Sequence, residues 1–372
     1  MPQTLTVALV GTGFMGRAHA NAWQQVTRFA DPVLTPVRHT VVGRDPARTA
    51  EFARRWDFGH AATDLAAVLA GGGIDLVDIT TPNDSHRDLA LTALAAGLHV
   101  ACEKPLAATL SDARAMAAAA ASASGRTSVW FSYRRVPAIA LAHQLVAAGL
   151  VGPVRHVRAV YAQQWGPGAG AAWRFDGARA GSGALGDIAA HIVDTVQFVT
   201  GEQVAEVAGG VEVTFDPSHT VDDAVAFVGR LSGGATATFE ATRYATGFHN
   251  HHGFEIHGER GALRFWFDEM GRLDVYDAQA PALTRGWTTV EVSDGDAGHP
   301  WVGLWWPAGH PIGYEHTFAH QAYDLLQQLG GEQPVVPLPD FADALQVQTV
   351  LETALLAARR GTRILVEEVA NS

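Results

Sequence analysis

Three short stretches of this chain carry residue types that together can move a hydride and a proton. Gly11-Thr12-Gly13-Phe14-Met15-Gly16 is a G-x-G-x-x-G loop. In such a loop the first glycine permits a tight turn and the second lets a pyrophosphate approach the backbone. The third, Gly16, allows the following helix to pack on the preceding strand. The helix that opens at Phe14 and Met15 offers free N–H groups and a partial positive charge to phosphate. Glu103-Lys104-Pro105 sets a lysine just past an apolar run. Asp187 and His191 stand four residues apart at the start of a helical pattern, so both project from one face. Taking a hydride from a secondary alcohol also requires removing the hydroxyl proton, which a positioned base does. Residue types leave open whether Lys104 or His191 takes that proton, since burial beside a cofactor can lower a lysine's pKa far enough to serve.

The choice of dinucleotide is read at the end of the second strand. An acidic residue there accepts hydrogen bonds from the ribose 2′-OH of NAD. Here the sequence is Gly43-Arg44-Asp45. Gly43 leaves room and Arg44 can pair with a 2′-phosphate, which favours NADP. Stacking of Arg44 on the adenine, or use of Asp45 on the ribose, would leave NAD open.

The elements that must position these groups begin with alternating strands and helices. Strands are expected at 4–10, 39–42, 75–80, 98–101 and 128–132, with helices at 14–29, 46–56, 85–96 and 111–122. The segment 30–37 carries two prolines and reads as a long connection. Strands alternating with helices predict a doubly wound parallel sheet, a Rossmann-type α/β domain over residues 1–133. In such sheets ligands bind past the carboxyl ends of the strands, where Lys104 falls. After Tyr133 a helix fits 137–148, a strand 154–163 and a glycine- and alanine-rich loop 166–183. A helix at 187–198 precedes strands at 204–214, 224–231, 235–242, 253–257 and 262–267. The stretch 294–310 reads as an ordered loop rich in tryptophan and glycine, and helices are expected at 314–329 and 341–360. Residues 134–372 therefore read as an α+β domain with a mostly antiparallel sheet, binding substrate and joining subunits. Lys104 from the first domain and Asp187 and His191 from the second are expected to converge in the cleft between them.

Bulk properties narrow the class. The chain has 372 residues, and compact domains hold roughly 100–200, so two domains are expected. With 48% hydrophobic and 17% charged residues the composition is that of a folded globular protein. A formal net charge of −12 argues against nucleic-acid binding. One cysteine, Cys102, cannot form an internal disulfide, which suits a reducing compartment. No basic segment followed by a long apolar one opens the chain, and the longest apolar run, 115–121, is far short of the ~20 residues of a membrane span. A cytoplasmic enzyme with no membrane partner is the expectation. His316 and His320 have a spacing that suits two metal ligands on one helix, but no third ligand is evident, so no metal is expected.

Further stretches bring a family into view. Thr80-Thr81-Pro82-Asn83 ends the third strand and His86 follows it. With Glu103-Lys104-Pro105, Gly186-Asp187-Ile188-Ala189-Ala190-His191 and the glycine loop, this order resembles the Gfo/Idh/MocA oxidoreductases over nearly the whole chain. Ser132-Tyr133-Arg134-Arg135, Trp173-Arg174-Phe175, Glu240-Ala241-Thr242-Arg243 and Pro311-Ile312-Gly313-Tyr314-Glu315 resemble a subgroup of it, the levoglucosan dehydrogenase-like members, which oxidise a ring hydroxyl of an anhydrosugar. Gly43-Arg44 departs from that NAD-dependent subgroup, so the resemblance supports a pyranose-like substrate more than the same cofactor.

The resemblance implies roles. Lys104 hydrogen-bonds the reacting hydroxyl and the cofactor ribose, His191 is the preferred proton acceptor, and Asp187 orients substrate. Thr80, Thr81, Pro82, Asn83 and His86 line the cofactor, with Glu103 on a ribose hydroxyl. Arg174 lies near the nicotinamide carboxamide or the substrate. Trp165 and Trp173 offer aromatic faces to a sugar, and Tyr133, Tyr314 and His316 reach the same cleft. The implied activity is hydride transfer between NAD(P) and a sugar, anhydrosugar or cyclitol, in a homodimer or homotetramer. An NAD-dependent glycosidase of related fold, which recycles its cofactor, and a non-catalytic dinucleotide sensor are the alternatives. A sensor should lack part of the Lys104–Asp187–His191 set, which this chain keeps.

Overall fold

The computed structural model describes residues 3–168 and 172–372. The chain opens β1 (Gln3–Val10), α1 (Phe14–Phe29), β2 (Leu34–Val42), α2 (Pro46–Arg55), β3 (His60–Ala62), α3 (Leu65–Ala70) and β4 (Leu76–Ile79). It continues α4 (His86–Ala95), β5 (His99–Cys102), α5 (Leu110–Ser122) and β6 (Thr127–Val129). Then come α6 (Pro137–Ala147), β7 (Val154–Ala162), α7 (Gly177–Ala180) and α8 (Ala190–Thr200). A run of strands follows: β8 (Val204–Val213), β9 (Ala224–Leu231), β10 (Thr236–Thr242), β11 (His251–Gly258), β12 (Gly261–Trp266), β13 (Arg272–Asp277) and β14 (Trp287–Glu291). The chain closes with α9 (Tyr314–Leu329), α10 (Phe341–Arg360), β15 (Ile364–Leu365) and α11 (Val366–Ala370).

Two compact units result. The first comprises the chain up to Arg135 together with Gly313–Leu345. Its six strands are parallel in the order β3-β2-β1-β4-β5-β6, the doubly wound arrangement whose order reverses between β1 and β4. β4 is buried throughout, as expected of a strand covered on both faces. Strand β2 starts at Leu34, inside the segment expected to be a connection. Pro36 is tolerated there because β3 pairs only with Thr40–Val42, so the first half of β2 has a free edge where the missing N–H costs nothing. The three-residue β3 and six-residue α3 were not foreseen; both are too short to show a period.

The second unit comprises Val136–Ile312 and Gln346–Ser372. Its nine-stranded sheet runs β14-β13-β12-β11-β7-β10-β9-β8-β15. The pairings are antiparallel except β7 with β10, which is parallel. Helices α6 and α8 pack on this sheet. The edge strand β14 and its neighbour β13 were not foreseen, since about half of their residues meet solvent and their apolar alternation is weak. Of the expected loop 166–183, residues 169–171 lie outside the described residues; a short 3-10 turn (Trp173–Phe175) and α7 follow them.

The expectation of one uninterrupted second domain from residue 134 is corrected by α9. Phe318, Leu325 and Leu326 of that helix join Leu5, Trp23 and Leu34 in the first unit's core. Arg135 and Asp324, both fully buried, pair at 3.3 Å, and Arg135 also donates to the carbonyls of Val336 and Pro337 at 3.1 and 3.0 Å. His320 holds the Arg135 carbonyl at 2.9 Å. A buried ion pair retained with this many hydrogen bonds ties the returning chain to a definite place. Among the described residues no helix is long and apolar enough to cross a membrane.

Candidate active site

In the first unit the glycine loop lies between β1 and α1 at the reversal of strand order. Gly11 has φ +116°, and a Cβ there would stand 2.5 Å from Thr80 Oγ1. A Cβ on Gly16 would meet the Gly11 carbonyl, so only glycine lets the helix come this close to the loop. A Cβ on Gly13 would meet nothing within 4 Å, so the backbone there faces open space. Gly13 is the N-cap of α1 and makes no side-chain cap. Uncapped N–H groups at a helix start, beside an open glycine, fit a dinucleotide pyrophosphate. Phe14 is largely exposed, and Met15 and Thr12 lie partly open around it. At the end of β2, Arg44 is exposed while Asp45 caps α2 by accepting the Arg48 N–H at 3.0 Å. The Arg48 guanidinium donates to the Thr12 carbonyl at 3.1 Å. Gly43 is required because a Cβ would run into Thr49 Oγ1.

The next two strand ends carry Thr80–Asn83 and Glu103–Pro105. Thr80 donates through Oγ1 to the Val10 carbonyl at 2.9 Å, fastening β4 to the glycine loop. His86 is fully buried; its Nε2 meets the Thr81 carbonyl at 2.9 Å and its Nδ1 the Pro105 and Leu106 carbonyls at 3.2 Å. It bridges the two strand-end loops from behind. Glu103 is 4% exposed, with one oxygen 3.0 Å from His19 Nε2 and the other accepting the Lys104 N–H at 3.1 Å. Its carboxylate is thus held inside the unit by the chain's own donors. Tyr314, at the start of α9, lies in this unit, stacked near Phe14 (6.5 Å between centroids) and edge-on to Tyr133 at the same distance. Pro82, Asn83 and Lys104 sit at these same strand ends.

In the second unit the expected helix start is a π-helical turn, Leu185–Ala189, running into α8. Such turns often mark functional sites. Asp222, buried, accepts from the Gly183 N–H at 2.7 Å and the Leu185 N–H at 2.6 Å and so holds the turn's first residues. Burial pushes the Asp222 carboxyl upward against those two donors and Arg243. Asp187 Oδ2 lies 3.1 Å from Arg243 Nη2 and 3.7 Å from Arg174 Nε. Arg243 is fully buried, 4.8 Å from the Trp165 ring centre and 5.1 Å from that of Phe175, and donates to the Gly183 carbonyl at 3.1 Å. Arg174 lies over Trp173 at 4.6 Å. The tryptophans therefore flank the arginines that hold Asp187, and Trp165 donates to Gln163 at 2.6 Å.

His191 lies in the first turn of α8, 8% exposed, with its ring 5.9 Å from that of Tyr161. Tyr161 donates to Asn250 at 2.7 Å and packs on the fully buried His252. Burial, aided by His251, lowers the His252 pKa to about 3. Burial likewise lowers that of His320 to about 3. His316 accepts the Gly313 N–H at 3.0 Å and caps α9. Among the described residues no group of three or more His, Cys, Asp or Glu side chains is gathered as a metal ion would need.

Sequence reasoning placed Asp187 but missed the residues that hold it. Arg243 stands in a stretch that resembles the subgroup, Glu240-Ala241-Thr242-Arg243, but nothing local assigns it a role, and Asp222 has no local signal. His19 and Asp78 were missed because a polar side chain inside a helix or a parallel strand carries no periodic mark.

A doubly wound sheet with an open glycine loop, followed by a unit that presents a pinned aspartate beside a histidine, defines a dinucleotide-dependent oxidoreductase. Residues 5–131 match the model of the oxidoreductase family with an NAD-binding Rossmann fold, and 139–264 that of the GFO/IDH/MocA C-terminal domain. The chain belongs to the Gfo/Idh/MocA family of NAD-binding oxidoreductases. It is 34% identical to levoglucosan dehydrogenase of Pseudarthrobacter phenanthrenivorans, over 99% of both chains. Its fold is similar to an oxidoreductase domain protein from Kribbella flavida, at 45% identity and a TM-score of 0.93 over 98% of this chain and 99% of that one. It is similar also to levoglucosan dehydrogenase in complex with NADH and levoglucosan, at 34% identity and a TM-score of 0.92 over the same shares.

The buried neutral histidines give a pH dependence. Between pH 6.5 and about 3 the unfolded chain protonates each ring and the folded chain does not. Their contribution is therefore complete above pH 6.5 and lost as pH falls, by ~1.4 kcal/mol per pH unit for each. Urea denaturation from pH 7 to 4 is expected to give a slope shallower by about one proton in His252→Gln than in the wild-type chain. An identical slope would count against a neutral His252.

Proposed function

We propose that the protein moves a hydride between a nicotinamide dinucleotide and a secondary hydroxyl of a pyranose-like sugar, an anhydrosugar or a cyclitol. The observation that carries this reading is the Asp187 carboxylate pinned by Arg243 and Arg174 on the helix start that also bears His191. Two arginines hold and aim that carboxylate, whose oxygens can accept a hydrogen bond from a substrate hydroxyl. His191 receives the reacting hydroxyl proton through a ring nitrogen as the carbonyl forms. As the family resemblance implies, Lys104 would hold the reacting oxygen and the cofactor ribose through Nζ, lowering the cost of charge on that oxygen. The bound nicotinamide supplies the hydride acceptor; the chain supplies every proton movement. Trp165 and Trp173 offer apolar faces to a sugar ring beside Asp187. The relatives named for levoglucosan, 1,5-anhydro-D-fructose, D-apiose and inositol support a polyhydroxylated ring or its like.

For the cofactor we read NADP. Arg44 is exposed at the end of β2, Asp45 is engaged in capping α2, and Arg48 is anchored on the glycine loop. Two cations there suit a 2′-phosphate better than a bare ribose. Two further features complete the reading. The sheet face of the second unit that bears Arg158, Val228, Thr238, Glu240 and Trp266 lines a groove of about 490 Å³, and we read it as the face that a second copy of the chain covers in a homodimer or homotetramer. The enzyme works in the cytoplasm.

Three measurements test this. Absorbance at the reduced-cofactor band is expected to change when the enzyme meets NADP or NAD with one of a panel of pyranoses, anhydrosugars and inositols. Lys104→Ala should lower kcat by ~10²-fold or more. Release of an aglycone without net cofactor reduction, or full turnover by that variant, would overturn the reading. Fluorescence titration is expected to show NADPH bound at least ~10-fold more tightly than NADH, with the difference lost in Arg44→Ala/Arg48→Ala. Tighter NADH binding would reverse the cofactor assignment. Light scattering at the mass of one chain would exclude the dimer.

A further inference from the structure

A histidine clamped between two buried carboxylates stands directly behind Lys104, wholly within the first unit. His19 lies on α1, Asp78 on β4, and Glu103 just past β5. His19 Nδ1 is 3.0 and 3.1 Å from the two Asp78 oxygens, and Nε2 is 3.0 Å from Glu103 Oε1. Trp23 and Trp130 donate their indole N–H groups to Asp78 at 2.7 and 2.9 Å. The ring packs on Trp130 at 4.0 Å and Phe318 at 5.6 Å between centroids. His19 and Asp78 are fully buried.

Both ring nitrogens face carboxylate oxygens. A neutral imidazole has one N–H and would turn a lone pair on one carboxylate; only the imidazolium satisfies both. We infer that His19 is a positioning residue for the Lys104 of the proposed site: as an imidazolium it ties Glu103 to Asp78, and the second oxygen of Glu103 fixes the Lys104 N–H. The inference rests on the reading of Lys104 given above.

The asymmetry of the network decides what moves. Asp78 is held by two indoles besides the histidine and sits in the middle of the sheet. Glu103 follows the strand, and among the described residues its carboxylate has, apart from His19, only the Lys104 N–H. Without the cation, two buried carboxylates flank the place of the ring with no charge between them, and Glu103 is the one free to swing outward, taking the Lys104 backbone with it. Burial alone would lower the His19 pKa, but the charges and hydrogen bonds of Asp78 and Glu103 outweigh it and raise it to about 9. The third titratable neighbour, Cys102, is pushed well up by burial and by the same two carboxylates and stays a thiol. The proton is therefore held through pH 6.5 and released as pH rises through about 9.

Two measurements on the full chain decide it. Ring-nitrogen NMR of the histidine-labelled wild-type protein, with His19 assigned from His19→Gln, should show two N–H groups on one buried ring at pH 7.5. They should be lost with a midpoint near 9. A neutral His19 ring at pH 7.5 overturns the inference, even in an active enzyme. In kinetics, His19→Gln should leave the NADPH Kd within about 3-fold while kcat falls at least ~10-fold, and the same substitution should cost less than about 3-fold in a Lys104→Ala background. Equal losses in both backgrounds, or parallel losses of Kd and kcat, would make His19 a fold residue only and overturn it. Should His19→Gln not fold, Glu103→Gln takes its place in the same cycle. A chain that shows the imidazolium but turns over no polyol fails the functional reading and leaves the network standing.

Discussion

A carboxylate removed from water must meet a cation or several N–H donors, or it does not stay ionised. The cores and sites of both units are organised around that constraint. In the first unit Asp78 collects a histidine and two indoles, Glu103 the same histidine and a backbone N–H, and Asp324 the buried Arg135. In the second, Asp187 meets Arg243 and Arg174, and Asp222 meets two N–H groups at the start of the π turn. Each arrangement joins elements far apart in sequence, and each stands beside a residue assigned to chemistry or to a domain return.

This economy explains the quiet roles of residues that look as though they should touch a ligand. His86 and Glu103 lie next to the strand-end loops, yet both face inward. They fix the loops' backbone from behind, leaving Thr81, Pro82, Asn83 and Lys104 at the strand ends. Binding energy at a dinucleotide site depends on such preorganisation, because groups already held in place lose little freedom when the ligand arrives. The glycine loop follows the same logic by subtraction: Gly11 and Gly16 are required by close neighbours, whereas Gly13 leaves its backbone open.

Much of the fold was legible in the chain. Helices at Phe14–Phe29, Tyr314–Leu329 and Phe341–Arg360 and the strand Ala224–Leu231 fall where their apolar periods end. Strong periods report a buried face, and burial is what these elements do. The misses share a cause as well. β3 and α3 are too short to show a period, and β13 and β14 lie toward a sheet edge where alternation weakens. The return of α9 to the first unit depends on which apolar face it meets, and a helix's own sequence does not name its partner.

The chemical residues divide the same way. The glycine loop could be read from residue type and spacing, because a tight turn at φ +116° needs particular residues at particular offsets, and the proposal for Lys104, Asp187 and His191 starts from the same kind of pattern. The family follows from those motifs. What only the tertiary structure decided is which side chains hold them: His19 and Asp78 behind Glu103, Arg243 and Asp222 around Asp187. The reason is physical. A hydrogen bond or ion pair between residues 37 to 84 positions apart leaves no local signature, since its geometry exists only once the fold has brought the elements that carry them together.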